Sequence, residues 1–165
     1  MVIGDPLDEK TTFSSMIDLD NAKRIESWVN EAVKAGATIV YGGKRKDAFY
    51  DPTILTNVPP LCKISCQEAF GPIVVVEKYR DYTKTLADIN KSVYGLQCGI
   101  FTNDMRRIME AFKVLEIGGI MTNDVPTFRV DNMPYGGVKE SGFGREGIKY
   151  AIEEMTEIKL LVVNC

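Results

Sequence analysis

Histidine is absent from all 165 residues. Without an imidazole there is no Ser-His-Asp triad, no Cys-His dyad and almost no zinc-hydrolase chemistry. No apolar run approaches the roughly 20 residues that cross a bilayer, so no membrane partner is expected. The opening residues, Met1-Val2-Ile3-Gly4-Asp5-Pro6, lack the basic start and apolar middle of a signal peptide, which makes the cytoplasm the expected location. Cysteine is too sparse for a disulfide framework: Cys62, Cys66, Cys98 and Cys165 include no C-x-x-C pair. Cys62 and Cys66, four apart, can share a helical face, but two thiols without an imidazole make a weak metal set. Excess positive charge is missing too. The 20 Lys+Arg and 23 Asp+Glu leave a net charge of −3, which gives nucleic acid no reason to bind.

What is present reads as one sizeable α/β domain. Hydrophobic residues make up 45% and charged residues 26%, the balance of a globular protein. Residues 1–17 form an irregular lead-in. Helical spacing of Ala22, Ile25, Trp28, Val29, Ala32 and Val33 predicts a helix over 18–35, capped by Asp18 or Asp20 and stopped by Gly36. Short strands follow at 38–41 and 53–56, with Lys44-Arg45-Lys46 between them as a solvated turn. A strand is expected at 73–79, then a helix over 81–91 with Leu86 and Ile89 inward, and a strand at 98–102. Asn103 or Asp104 caps the next helix, whose Met105, Ile108, Met109, Phe112 and Leu115 read as core filler. A strand at 120–123, a long irregular segment over 124–147, a helix over 148–154 and a terminal strand at 158–163 complete the chain. Strand and helix alternate, so the expected architecture is an open, twisted, mostly parallel sheet with flanking helices.

One stretch stands out: Gln67-Glu68-Ala69-Phe70-Gly71-Pro72, followed by Ile73-Val74-Val75-Val76. A carboxylate and an aromatic ring sit two residues apart before a Gly-Pro turn and a β-branched run. The run is apolar on both faces, as in a strand buried in a parallel sheet. Open α/β sheets build ligand sites at such strand ends. A surface acid beside a core phenylalanine is the plain alternative.

This stretch resembles the cofactor-contact motif Glu-x-Phe-Gly-Pro of the NAD(P)-dependent aldehyde dehydrogenase superfamily. Pro134-Tyr135-Gly136-Gly137-Val138-Lys139-Glu140-Ser141-Gly142-Phe143-Gly144-Arg145-Glu146 is similar to a second family signature, with Tyr135 in place of the usual Phe. Gly4-Asp5-Pro6, Phe49-Tyr50-Asp51-Pro52-Thr53, Tyr94-Gly95-Leu96 and Thr156-Glu157-Ile158-Lys159 match in the family's order. Arg129-x-Asp131-Asn132-x-Pro134 resembles the lactaldehyde and glyceraldehyde-type branch. The resemblance covers essentially the whole chain, but only the C-terminal third of a typical member.

The resemblance implies an enzyme that oxidises an aldehyde to the acid with NAD or NADP, through a cysteine thiohemiacetal and thioester. Glu68 then hydrogen-bonds the nicotinamide ribose and Phe70 packs near the ring; a carboxylate accepts two hydroxyl donors at once. Segment 124–135 walls the aldehyde. Phe128 and Tyr135 supply apolar surface, while Thr127 and Arg129 hydrogen-bond a small hydroxylated or anionic tail. An ion pair of Arg129 with Asp131 or Glu140 is the plain alternative. The glycines at 136, 137, 142 and 144 lack a dinucleotide fingerprint and read as turn and packing positions, with Lys139, Ser141, Arg145 and Glu146 as ion-pair and capping residues.

No Gly-Gln-x-Cys-type nucleophile motif precedes Glu68, and neither the general-base Glu, the oxyanion Asn nor a Rossmann half can be matched. No catalytic residue is therefore assigned, and the chain alone is expected to be inactive. The expected organisation is a partial catalytic domain over 1–155 and an oligomerisation strand over 156–165, giving a homodimer or homotetramer. An apolar edge of that kind calls for a partner. A non-catalytic interaction module and a small-molecule binding domain that kept Glu68 and Phe70 remain alternatives.

Overall fold

The computed structural model describes residues 1–164, which fold as two compact units, one ending at Tyr79 and the other beginning at Arg80. In the first unit, helix α1 (Leu19–Lys34) starts where Asp18 accepts the Asn21 N–H at 2.7 Å. That bond satisfies an orphan donor of the first turn and holds the Asp18 carboxyl below its usual pKa. The helix ends before Gly36, whose φ of 112° a side chain would resist. Ala22, Ile25, Val29 and Ala32 form its buried stripe.

That stripe packs into a core with Tyr50, Leu55, Val58 and Ile64. Strand β1 (Thr38–Tyr41) runs antiparallel to β4 (Thr53–Thr56), with an irregularity between Ile39 and Tyr41, and β4 runs parallel to β5 (Ile73–Val75). Between them lies a hairpin, β2 (Arg45–Lys46) and β3 (Phe49–Tyr50), which the sequence pattern does not reveal. Arg45 is thus not a solvated turn residue: its Nε donates to Glu26 at 2.8 Å. The short helix α2 (Lys63–Cys66) leads to Glu68.

In the second unit, α3 (Tyr82–Ile89) is capped by Asp81 and α4 (Met105–Val114) by Asp104. Strand β7 (Gln97–Ile100), α4 and the parallel β8 (Gly119–Thr122) make a β-α-β crossover. Strand β6 (Tyr94–Gly95) pairs antiparallel with β9 (Val138–Lys139), and α5 (Ile148–Glu154) follows. Leu86, Ala111 and Leu115 are the buried centre, with Ile100, Ile117 and Ile120 against them.

The α/β class holds, and the strands divide among four small sheets of mixed direction. Three expectations about packing do not. Met105, Met109 and Phe112 are 65%, 44% and 69% exposed, because α4 docks through Ala111 and Leu115. Ile89 is partly exposed while Leu86 is buried. Strand β5 stops at Val75, and Val74 is exposed, because Ile73 and Val75 are the residues that pack against the core under α1 and Val74 points to the opposite side. Residues 157–164 form no strand here; Ile158, Leu160 and Leu161 are exposed, and an extended segment becomes a strand only when a ladder pairs it. No helix is long and apolar enough to cross a membrane among the described residues.

Candidate active-site surfaces

Glu68 and Phe70 lie on the connection between α2 and β5, and α1 fixes that connection. Arg24 Nη2 donates to the Ala69 carbonyl at 2.8 Å while its guanidinium stacks on Trp28 at 4.7 Å. Gly71 comes so close to α1 that a Cβ would sit 2.9 Å from two Ile25 carbons. Thr53 N donates to Pro72 O at 2.8 Å, tying the segment to β4. The turn is held so tightly that Phe70 takes a φ of 44°, unusual for a bulky side chain, and its ring stays 75% exposed.

These residues line one cavity of about 650 Å³ with Phe13, Met16, Asn21 and Arg24. The Glu68 carboxylate takes no hydrogen bond or ion pair from any described residue, so both oxygens remain for a ligand's hydroxyl donors. The structure thus brings Glu68 and Phe70 together. It adds Asn21 and Arg24, which sequence reasoning missed. Their one available signal is that they stand three apart on the polar side of α1 and bond each other, Arg24 Nε to Asn21 Oδ1 at 3.3 Å.

The other four expected site residues belong to the second unit. Val125 and Phe128 close a turn, with Thr127 and Phe128 exposed at it. Tyr135 and Glu146 form an isolated antiparallel bridge, exchanging N–H···O bonds of 3.1 and 2.6 Å. Arg129 lies across them. Its guanidinium is 4.4 Å from the Tyr135 ring centre, and Nη2 donates to Glu146 Oε2 at 2.8 Å. The ion pair therefore forms with Glu146, not with Asp131 or Glu140. Arg129 and Tyr135 are brought together; Thr127 makes no hydrogen bond to a described residue.

The glycine-rich neighbourhood is scaffolding. Arg145 Nη1 donates to the Gly137 and Gly144 carbonyls, and Ser141 Oγ accepts the Gly95 N–H. Lys139 Nζ donates to Asn90 O and Ser92 O, just past α3, and pairs with Glu116. Cys62 is buried, and Cys66 Sγ is 3.8 Å from Leu61 O. Burial pushes the Cys98 thiol pKa up, away from the thiolate that attack needs.

The sequence matches the model of the aldehyde dehydrogenase family over residues 1–161. It is 52% identical to the 3-sulfolactaldehyde dehydrogenase of Priestia megaterium over 164 residues, covering 99% of this chain and 34% of that one. Aldehyde dehydrogenase 21 of Physcomitrella patens, solved in complex with its reaction product succinate, superposes with a TM-score of 0.95 at 45% identity, over 99% of this chain and 34% of that one. The glyceraldehyde-3-phosphate dehydrogenase GapN of Methanocaldococcus jannaschii, solved with NADP, gives 0.90 at 41% identity, over 96% and 34%. The chain thus spans about a third of the length of the relatives it matches.

Proposed function

The chain belongs to the aldehyde dehydrogenase family, and on that premise we propose that it is the part of an NAD(P)-dependent dehydrogenase that contacts nicotinamide ribose and the tail of a small anionic aldehyde. The observation that carries this reading is Glu68, an unpartnered carboxylate on a cavity whose rim also holds Phe70, Asn21 and Arg24. NAD(P), bound there, would supply the hydride acceptor. Glu68 takes the ribose hydroxyls, and the exposed Phe70 ring limits motion of the nicotinamide. Arg129 receives the anionic end of the aldehyde, Phe128 and Tyr135 give apolar wall, and Thr127 donates a hydrogen bond. Relatives that act on a sulfonated aldehyde or release succinate support an anionic tail.

Attack on the aldehyde falls to a cysteine outside this chain, so residues 1–165 by themselves turn nothing over. Residues 1–155 serve as part of a catalytic domain in the cytoplasm, and 156–165 add a strand to a second subunit. The exposed apolar side chains of Ile158, Leu160 and Leu161 support that last role.

The test is to fuse the chain behind the N-terminal two-thirds of a relative and follow aldehyde-dependent formation of reduced nicotinamide cofactor. The fusion is expected to be active, the isolated chain silent. Glu68→Gln in the fusion should raise KM for the cofactor roughly tenfold, the worth of a charge-assisted hydrogen bond. Unchanged kinetics in that variant would remove Glu68 from the site.

A further inference from the structure

We propose that Arg24 is a positioning residue for the nicotinamide ribose: reaching over from α1, it fixes the Ala69 carbonyl and so sets Glu68 and Phe70, which flank it. The inference rests on the assignment of Glu68 and Phe70 to the cofactor and adds the group that holds them in place.

The chain between α2 and β5 has few anchors. Gln67 N closes the α2 turn on Lys63 O at 2.9 Å, and Pro72 O takes Thr53 N at 2.8 Å. Across Glu68, Ala69 and Phe70, the Ala69 carbonyl is the one backbone group with a hydrogen-bond partner among the described residues, and that partner is Arg24 Nη2 at 2.8 Å. The bond acts on a sensitive coordinate. The Ala69 carbonyl and the Phe70 N–H share one rigid peptide plane, so holding the oxygen holds the plane about which ψ of Ala69 and φ of Phe70 turn. Phe70 has a φ of 44°, a left-handed value that a bulky side chain leaves unless its peptide is restrained. Once released, that plane turns and carries the carboxylate and the ring away from the cavity they line.

Arg24 is itself held from three directions. Its guanidinium face lies 4.7 Å from the ring centre of Trp28, which packs against the core. Its Nε donates to Asn21 Oδ1 at 3.3 Å. Asn21 Nδ2 in turn donates to both oxygens of Asp18, at 2.9 and 3.1 Å, the carboxylate that also caps the helix. A relay thus runs from the cap of α1 through Asn21 and Arg24 to the turn. A planar guanidinium can meet a ring with its face and two acceptors with its edge at once, which an ammonium cannot do.

Two measurements test the role. In the 165-residue chain, residual dipolar couplings of residues 68–71 report the turn with no cofactor present. Wild type is expected to fit one conformation with Phe70 at positive φ. Arg24→Gln should average those couplings while the couplings of α1 and β4 stay as in wild type. Unchanged couplings at 68–71 overturn the inference. The second measurement uses the chain fused behind the N-terminal two-thirds of a relative. There Arg24→Gln should raise KM for the cofactor roughly fivefold, the worth of one hydrogen bond. In the Glu68→Gln background the same change should raise it only about twofold, because most of what Arg24 sets is then gone. Arg24→Lys, which keeps the charge without the stacked fork, should recover only part of the loss and covers the case of a Gln variant that does not fold. Losses that simply multiply those of Glu68→Gln mean that the Arg24 charge meets the cofactor itself, and they overturn the positioning role. A fall in kcat with KM unmoved reports less folded enzyme and overturns it as well. Unchanged KM in Glu68→Gln alone removes the cofactor reading, and this inference falls with it.

Discussion

Tyr50 offers a quantitative check on the first unit. It is 1% exposed in the core between α1 and the sheet, and its hydroxyl has no hydrogen-bond partner among the described residues. The neighbouring hydroxyl, Thr53 Oγ1, donates to Asp51 O at 2.7 Å and accepts from Gly43 N at 2.8 Å. An orphaned buried hydroxyl costs about 1–3 kcal/mol, so Tyr50→Phe should stabilise the unit by about 1 kcal/mol at neutral pH. Burial pushes the phenol pKa from 10.0 up to about 12, against a smaller opposing pull from the nearby Thr53 hydroxyl, whose contact with the phenol falls short of hydrogen-bond geometry. Below pH 10 the phenol is protonated in both folded and unfolded chains and the wild type loses nothing. As pH rises from 10 towards 12 only the unfolded chain releases the proton, so wild-type stability falls. At pH 11 linkage sets that loss at about 1.4 kcal/mol, less after water relaxes around the ring. Tyr50→Phe escapes it, and its advantage should roughly double between pH 8 and pH 11. Urea unfolding followed by fluorescence of Trp28, the single tryptophan and a neighbour of the same core, measures both quantities. A variant less stable than wild type at pH 8 would show that the hydroxyl has a partner. A pH-independent difference would refute the burial argument.

Phe70→Gly should leave the unit as stable or about 0.5–1 kcal/mol more so, since it relieves a left-handed backbone and removes a ring that is 75% exposed. The same change should weaken cofactor binding in the active fusion; urea midpoints and KM together test the trade. Leu55→Ala, at a fully buried site on β4, should cost about 2–5 kcal/mol in the same unfolding assay. Gly118→Ala should displace segment 136–137, because its Cβ would overlap the Gly136 carbonyl; loss of amide-exchange protection at Gly95 and Val138 would report it.

The local signals were legible. Asp18, Asp81 and Asp104 each cap a helix by accepting an N–H two or three residues ahead, so the sequence window contains the whole interaction. Gly36 likewise ends α1 through its own φ. Glu68, Phe70, Arg129 and Tyr135 stood out as candidates because motifs carried them. Sequence by itself thus determined where α1, α3, α4 and α5 start, the alternation of those helices with the longer strands, and the family; the one-turn α2 escaped it. It left open which apolar residues would be covered. Met105, Met109 and Phe112 keep helical spacing with Leu115, and so does Ala111 on the adjoining stripe, yet only a neighbouring layer decides which side of α4 is inside. Two-residue strands such as β2 and β3 have no period to detect and exist because Arg45 and Lys46 meet Tyr50 and Phe49 across a turn. The site partners were hidden for the same reason. Arg24 reaches Ala69 from 45 residues away, and Glu146 reaches Arg129 from 17, through contacts that close only when the chain folds back on itself. Capping and turn chemistry act within a few bonds of the backbone, whereas burial and charge pairing depend on which distant surface arrives, and that was decided by tertiary structure alone.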